Sequence, residues 1–156
     1  MEIPILVAIF QSIPECIALV FLTLVLLKVK LNWGIILILG ILQTFATFSI
    51  RLLPFLEFGV HTVILLLVLT VLVMCVSKQK FLMVAPMALL SFAVMLVFEY
   101  IIFRIFIFMT GITIWELLED QLLRIVLGAP QWILLFLVGF IIQHFRNKKI
   151  AKEAAS

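Results

Sequence analysis

An acidic side chain in the middle of an apolar stretch is the feature of this sequence most able to do chemistry. Glu15 lies within residues 3–27, which are otherwise largely apolar, and Gln11, Ser12 and Pro14 precede it. Because a charged side chain at the centre of a bilayer costs about 2.5–3.5 kcal/mol on insertion scales, Glu15 must face protein or trapped water. Pro14 lacks an N–H and frees a carbonyl one turn earlier, which polar groups or water must satisfy. The pattern predicts a polar, kinked point around which other helices pack.

The composition indicates a membrane protein. The 156 residues are 67% hydrophobic and 12% charged, with a mean hydropathy of +1.42, whereas soluble domains average about 45–50% apolar and about 25% charged residues. Lipid must therefore be the solvent of an all-α chain. We expect one helical bundle over residues 1–149 and a short cytoplasmic tail over residues 150–156. The first apolar run is too long for a secretory signal peptide, and neither a basic segment nor a small-residue cleavage site flanks it.

Five transmembrane helices and one interfacial helix are predicted. The apolar stretches expected to span the membrane are residues 3–27, 35–50, 60–76, 81–109 and 131–143. Between the last two, residues 113–125 carry apolar residues at three- and four-residue steps with charges opposite. Thr113 and Glu116 fit a capping box at its start. This segment is expected to be a short amphipathic helix on the membrane surface, which residues 128–130 (Gly-Ala-Pro) end.

The basic residues predict the orientation. One set of helix ends carries Lys28, Lys30, Lys78, Lys80, Arg146, Lys148, Lys149 and Lys152; the other carries Arg51, Arg104 and Arg124, with Glu2, Glu57, Glu116, Glu119 and Asp120. Since basic loops stay in the cytoplasm, the N-terminus is predicted outside and the C-terminus inside. Five spans satisfy this pattern, whereas four or six break it.

Polar residues on several spans are predicted to meet in the outer half of the bundle. The candidate ligand-binding or polar-core residues are Gln11, Ser12, Glu15, Gln43, Thr47, Arg51, His61, Glu99, Arg104 and Gln131. Helical spacing places those of one span on a shared face, where small and hydroxyl residues allow close approach and hydrogen bonds between helices. The hypothesis is a cavity open to the outside, with Arg51 as counter-charge to Glu15 or Glu99. Packing seams and a structural ion pair stay open as alternatives.

Catalysis has little support in the sequence. No zinc-ligand spacing, nucleophile elbow or phosphate-binding glycine loop occurs, and no metal or cofactor is expected. Cys75 and His144 could form the nucleophile and base of a membrane cysteine peptidase, if they meet near the cytoplasmic face. The simpler expectation is that Cys16 and Cys75 are buried thiols at different depths, and that the protein is not an enzyme.

Three short motifs carry a resemblance to a known family: residues 13–17 (Ile-Pro-Glu-Cys-Ile), 50–54 (Ile-Arg-Leu-Leu-Pro) and 58–62 (Phe-Gly-Val-His-Thr). In this order the chain resembles the N-terminal membrane regions of peptide-quorum-sensing (GHKL-type) sensor histidine kinases of Gram-positive bacteria. The resemblance implies a bundle that receives an extracellular signal and passes it to a cytoplasmic kinase. Only a few residues follow Lys149, so no phosphoacceptor helix or ATP-binding domain is expected, and kinase activity is not carried over.

The leading functional hypothesis is a small sensory or regulatory protein of the bacterial inner membrane. It would respond to an extracellular ligand or partner through the polar outer-half cavity. The alternatives are a membrane subunit of a transporter and a structural subunit of a larger membrane complex. The expected partners are the lipid bilayer and a signalling partner in the cytoplasm or membrane; a homo-oligomer stays open, and nucleic acid is not expected.

Overall fold

The computed structural model describes residues 11–51, 60–111 and 121–154, and these ranges form helices and the turns between them, with no strand. The five helices are α1 (Ile13–Leu26), α2 (Trp33–Arg51), α3 (Val60–Ser77), α4 (Phe81–Thr110) and α5 (Gln121–Ala154). The all-helical prediction is confirmed for this part of the chain.

Four helices are long and apolar enough to cross a membrane. Their candidate spans are Trp33–Ile50, Val60–Ser77, Phe81–Thr110 and Ile125–Lys149. The described part of α1 has 14 residues, about 21 Å at 1.5 Å per residue, which is less than a hydrocarbon core of about 30 Å. The first ten residues, which include most of the remainder of the predicted first span, lie outside the described residues.

Helix α1 is the centre of the bundle. It packs against all four other described helices, while α2 packs against α3, α3 against α4 and α4 against α5. Every residue from Ala18 to Val25 is buried, over two turns and therefore on all sides. A helix that is apolar all round is typical of such a fully surrounded position. The densest packing lies one to two turns beyond Glu15 and Pro14, which are themselves only half-buried.

Glycines bring the neighbouring helices close to α1. A Cβ atom on Gly40 of α2 would lie 2.8 Å from the Cα atom of Ile17. On α5, a Cβ atom on Gly139 would lie 2.9 Å from Cδ1 of Phe21. Because real Cβ atoms do not approach other atoms so closely, these positions hold α2 and α5 against α1 only as long as they have no side chain.

Helix α5 differs from the prediction. Residues 128–130 do not end a helix: α5 is continuous from Gln121 to Ala154, with Pro130 inside it. Membrane helices tolerate an internal proline because neighbouring helices and local adjustments satisfy the freed backbone group. Residues 121–125, predicted as the end of the interfacial helix, are the first turn of α5, and residues 112–120 lie outside the described residues.

The two basic turns and the C-terminal part of α5 meet at one end of the bundle. The guanidinium of Arg146 donates through Nη1 to the Val25 carbonyl oxygen at 3.3 Å. The amide of Gln79 donates through Nε2 to the Leu27 carbonyl oxygen at 3.4 Å. Both acceptors lie at the C-terminal end of α1, where the Val25 carbonyl also accepts from the backbone N–H of Lys28 at 3.1 Å. We call this the basic end and define it by Lys28, Lys30, Lys78, Lys80, Arg146 and Lys148.

Candidate functional site

The half of the bundle away from the basic end contains a polar contact between α1 and α5. The Nε2 group of Gln131 donates to Oε1 of Glu15 at 3.5 Å, and Gln131 is 4% exposed. One turn further out, Gln11 lies against Gly128, where a Cβ atom would be 2.7 Å from Cδ of Gln11. We call this group of residues the polar seam: Gln11, Glu15, Gly128, Gln131 and Trp132.

Helices α1 and α5 run parallel, and contacts between them follow one another along both helices. Going from the polar seam to the basic end, Gln11 lies against Gly128, Glu15 against Gln131, Phe21 against Gly139 and Val25 against Arg146. The two helices therefore touch from the seam to the basic end. A shift of α5 relative to α1 at the polar seam therefore involves the same two helices that Arg146 joins at the basic end.

Two buried polar atoms of the seam have no partner among the described residues. They are Oε1 of Gln11, an acceptor, and Nε1 of Trp132, a donor. A buried polar atom without a hydrogen bond costs about 1–3 kcal/mol. A water molecule or a small ligand with both a donor and an acceptor has the chemistry to satisfy the pair. The 3.5 Å separation of Gln131 and Glu15 is also at the long limit of hydrogen bonding.

The backbone of α1 is irregular at the seam. Residues 11 and 12 adopt a wide, π-type turn, and Ser12 makes no capping hydrogen bond with its side chain. Pro14 follows at the start of the regular helix and has no N–H to donate. Such single-turn irregularities occur often at functional sites of helices, because they re-aim the side chains around them.

Gln43 makes a different contact from the one predicted. Its Nε2 group donates to the Leu65 carbonyl oxygen of α3 at 3.1 Å, and its own Oε1 is buried without a partner among the described residues. Because α2 runs antiparallel to α1 and Gly40 lies against Ile17, Gln43 is about one turn further out, level with the seam. Its amide donor is therefore used between α2 and α3.

The hydroxyl groups on the polar stripes bond within their own helices. Thr44 donates to the Gly40 carbonyl oxygen at 2.8 Å, Thr47 to that of Gln43 at 2.9 Å and Ser91 to that of Met87 at 2.9 Å. The prediction that such groups bond across helix interfaces is wrong for these three. Hydroxyl side chains four residues after a carbonyl satisfy themselves locally; packing seams and a ligand cavity both stay predictions for these stripes.

The remaining candidate residues are spread over the outer parts of α2, α3 and α4. Arg51 ends α2, and its side chain lies outside the described residues, so its role as a counter-charge stays a prediction. His61 and Glu99 are half-buried, and Arg104 is exposed. His61 contacts its neighbour Thr62 through Nε2 at 3.5 Å. A single cavity that gathers all ten candidates stays a prediction; Gln11, Glu15 and Gln131 are the members brought together at the seam.

The cysteines differ in burial. Cys16 is buried, as predicted, but Cys75 is exposed, because the last turn of α3 turns that side chain away from the neighbouring helices. Helix α5 packs mainly on α1 and α4, so the helices that carry Cys75 and His144 are not close neighbours. The peptidase alternative therefore has no supporting contact among the described residues.

Two seam residues were assigned other roles from the sequence. Gly128 was predicted to end a helix, and Trp132 was placed near the start of the fifth predicted span. The structure places Gly128 under Gln11 and packs Trp132 edge-on against Phe136. A glycine three residues before a glutamine in an apolar helix is the signal that could have indicated a close, polar helix contact.

Comparisons with protein-family models, with curated proteins and with solved structures found no match. The resemblance to sensor regions therefore depends on the three short motifs alone. Parts of two of them fall in residues 52–59, outside the described residues.

Proposed function

We propose that this chain is a small sensory or regulatory module of the bacterial inner membrane, in which α5 carries a change at the polar seam to the basic end. The observation that supports the proposal is the continuity of α5. It runs as one helix of 34 residues, about 51 Å at 1.5 Å per residue, past both Gln131 and Arg146. A helix that is rigid over this length transmits a tilt or a shift from one end to the other.

The proposed orientation places the basic end in the cytoplasm. Its lysines flank the membrane spans closely, which is where the positive-inside rule applies. The polar seam then lies in the outer half of the membrane, on the side from which an extracellular ligand or a partner helix arrives. The same direction of signalling is what the resemblance to histidine-kinase sensor regions implies.

The proposed mechanism uses two buried polar atoms of the seam. A ligand that donates to Gln11 Oε1 and accepts from Trp132 Nε1 gains hydrogen bonds with atoms that have no partner among the described residues. Its affinity therefore differs between seam arrangements, and this difference is the only source from which a ligand can shift a conformational equilibrium. The response is a changed packing of α5 against α1, read out at the cytoplasmic tail.

A distance measurement tests the proposal without an identified ligand. Spin labels on Lys30→Cys and Lys149→Cys, with the native cysteines replaced by alanine, report the position of the α5 tail relative to the α1–α2 turn in lipid nanodiscs. We expect Glu15→Gln and Gln131→Leu to shift or broaden this distance distribution. Ser49→Ala is the matched control, because Ser49 is exposed on α2 and bonds its own helix at Phe45. Unchanged distributions in both seam variants would contradict the proposal.

A transport subunit is the second candidate, and one observation favours it. Gln11, whose Oε1 has no partner among the described residues, precedes Glu15 by four residues, about one turn, and such oxygen groups are suited to bind a hard cation. Cation or solute uptake into vesicles that contain the purified chain, lost in Glu15→Gln, would select this function over sensing.

A further inference from the structure

A concave surface lies on α5, away from the polar seam. It is a groove of about 700 Å³ whose described lining residues are Ile133, Phe136, Leu137, Phe140, Ile141, His144 and Phe145. The groove lies within the candidate span Ile125–Lys149. From Ile133 to His144 it extends about 16 Å along the helix at 1.5 Å per residue. That length matches one leaflet of a hydrocarbon core of about 30 Å.

The groove has a rigid aromatic floor. Phe136 and Phe140 contact the fully buried Phe21 of α1, with ring centroids 5.5 and 5.0 Å apart. Trp33, at the start of α2, stacks on Phe21 at 5.3 Å and lies 6.1 Å from Phe140. Since tryptophan is enriched at the membrane–water interface, Trp33 indicates that the groove reaches the headgroup level at this end.

Cationic side chains stand where the groove reaches the headgroup level. Lys148 is exposed and follows His144 by four residues, so both lie on the same face of α5. The turn that carries Lys30 directly precedes Trp33. A ligand for this surface is therefore apolar over one leaflet and anionic at its cytoplasmic end.

We propose that the groove binds an anionic phospholipid, with one acyl chain along Phe136 and Phe140 and the phosphate at Lys148. A second copy of this chain fits less well. A parallel dimer through the same face of α5 would place Lys148 and its basic neighbours next to their symmetry mates, and like charges in contact oppose association. The lipid site is independent of the proposed sensory role, because it uses no residue of the polar seam.

Lipid retention by the purified full chain tests this inference. The probes are phosphatidylglycerol and phosphatidylcholine with identical acyl chains, and the readout is the lipid-bound fraction in native mass spectrometry. We expect preferential retention of phosphatidylglycerol. Lys148→Gln should reduce its affinity about fivefold, the effect of one basic residue at an anionic membrane surface. Lys78→Gln is the matched control: it removes the same charge at the basic end but in the turn directly after α3, a helix that is not a close neighbour of α5, and it should leave retention unchanged.

Two further variants distinguish the groove from a general surface charge. Leu137→Trp fills the groove and should lower the retention of both lipids, while far-UV circular dichroism reports an intact fold. Ile141→Cys, in a Cys75→Ala background, should give no disulfide-linked dimer in nanodiscs. Equal retention of the two lipids, equal losses in Lys148→Gln and Lys78→Gln, or efficient dimer formation by Ile141→Cys would each overturn the proposal.

Discussion

The α1–α5 pair is held in opposite ways at its two ends. At the basic end, Arg146 of α5 donates to the Val25 carbonyl at the end of α1. Gln79, which lies in the α3–α4 turn, donates to the Leu27 carbonyl at the same end. At the polar seam, Gln131 donates to Glu15 at 3.5 Å, close to the lengths of those two bonds, but buried polar atoms nearby have no partner among the described residues. The two ends therefore differ in their unpartnered buried atoms rather than in the lengths of their hydrogen bonds.

The difference indicates where the bundle can change. Arg146 joins α5 to the C-terminal end of α1, and Gln79 joins the same end of α1 to the α3–α4 turn. At the seam, Gln11 Oε1 and Trp132 Nε1 are buried without a partner among the described residues. Under the proposed function the basic end acts as a pivot and the seam as the place of entry, and the variants below test this division.

The largest effect is expected from Gly139 on α5. Gly139→Ala places a methyl group against the Phe21 ring, which is fully buried and held by other aromatic rings. We expect a loss of about 1–3 kcal/mol, because overpacked side chains force the backbone to move. The measurement is unfolding by sodium dodecyl sulfate in mixed micelles.

Gly128→Ala is the matched variant at the seam. Its methyl group meets Gln11, whose long side chain can rotate away, and alanine is the better helix former by about 1 kcal/mol. The net change should be close to zero. Equal losses in Gly128→Ala and Gly139→Ala would show that the seam is packed as rigidly as the rest of the pair.

Arg146→Gln tests the proposed pivot. The hydrogen bond to the Val25 carbonyl is lost, and we expect destabilisation of about 1 kcal/mol, below the roughly 1.5–3 kcal/mol of bonds to charged groups, because Arg146 is only half-buried. The same detergent unfolding measures it. Lys80→Gln removes an exposed charge from the same end and should leave stability unchanged. If Lys80→Gln and Arg146→Gln lost the same stability, the cause would be the change in net charge rather than the lost hydrogen bond.

Gln131→Leu tests the seam contact. It removes the donor to Glu15, and we expect a loss of about 0.6 kcal/mol, the average for hydrogen bonds between membrane helices. Glu15→Gln keeps polar groups on both helices and should cost less. If Gln131→Leu lost several times more stability than this average, the hydrogen bond between Gln131 and Glu15 would be a strong one, and the seam would not be the weaker end of the pair.

The smallest effect is expected from Thr44→Val. Its hydroxyl bonds only the Gly40 carbonyl of its own helix, so the isosteric change should alter stability by less than about 0.5 kcal/mol. Gln43→Leu, one residue earlier, removes a bond to α3 and should cost more. A larger loss of stability in Thr44→Val than in Gln43→Leu would instead support the prediction that hydroxyl groups form hydrogen bonds between helices.

The sequence predicted the helical class and most of the spans because apolar length alone carries that information. It placed Gln11, Glu15 and Gln131 in the same half of the bundle from their positions along the spans. Hydropathy does not say which span has other helices on all sides, so the central place of α1 was visible only in three dimensions.

Other errors have local physical causes. Residues 128–130 look like a helix end by the rules for water-soluble proteins, but the bundle accommodates Pro130 inside α5. Arg146 was counted only as an indicator of orientation, although its reach to Val25 makes it part of the structure. Cys75 was expected to be buried because cysteine usually is, yet its position on α3 turns it outward.

The complete enclosure of α1 has a consequence for biogenesis. α1 emerges from the ribosome before the other four helices, and α5, which supplies Gln131, emerges after them. Until α5 inserts, α1 lacks one of the helices that enclose it, and the contact between Glu15 and Gln131 cannot form. Insertion of α5 is therefore the step that completes the enclosure of α1.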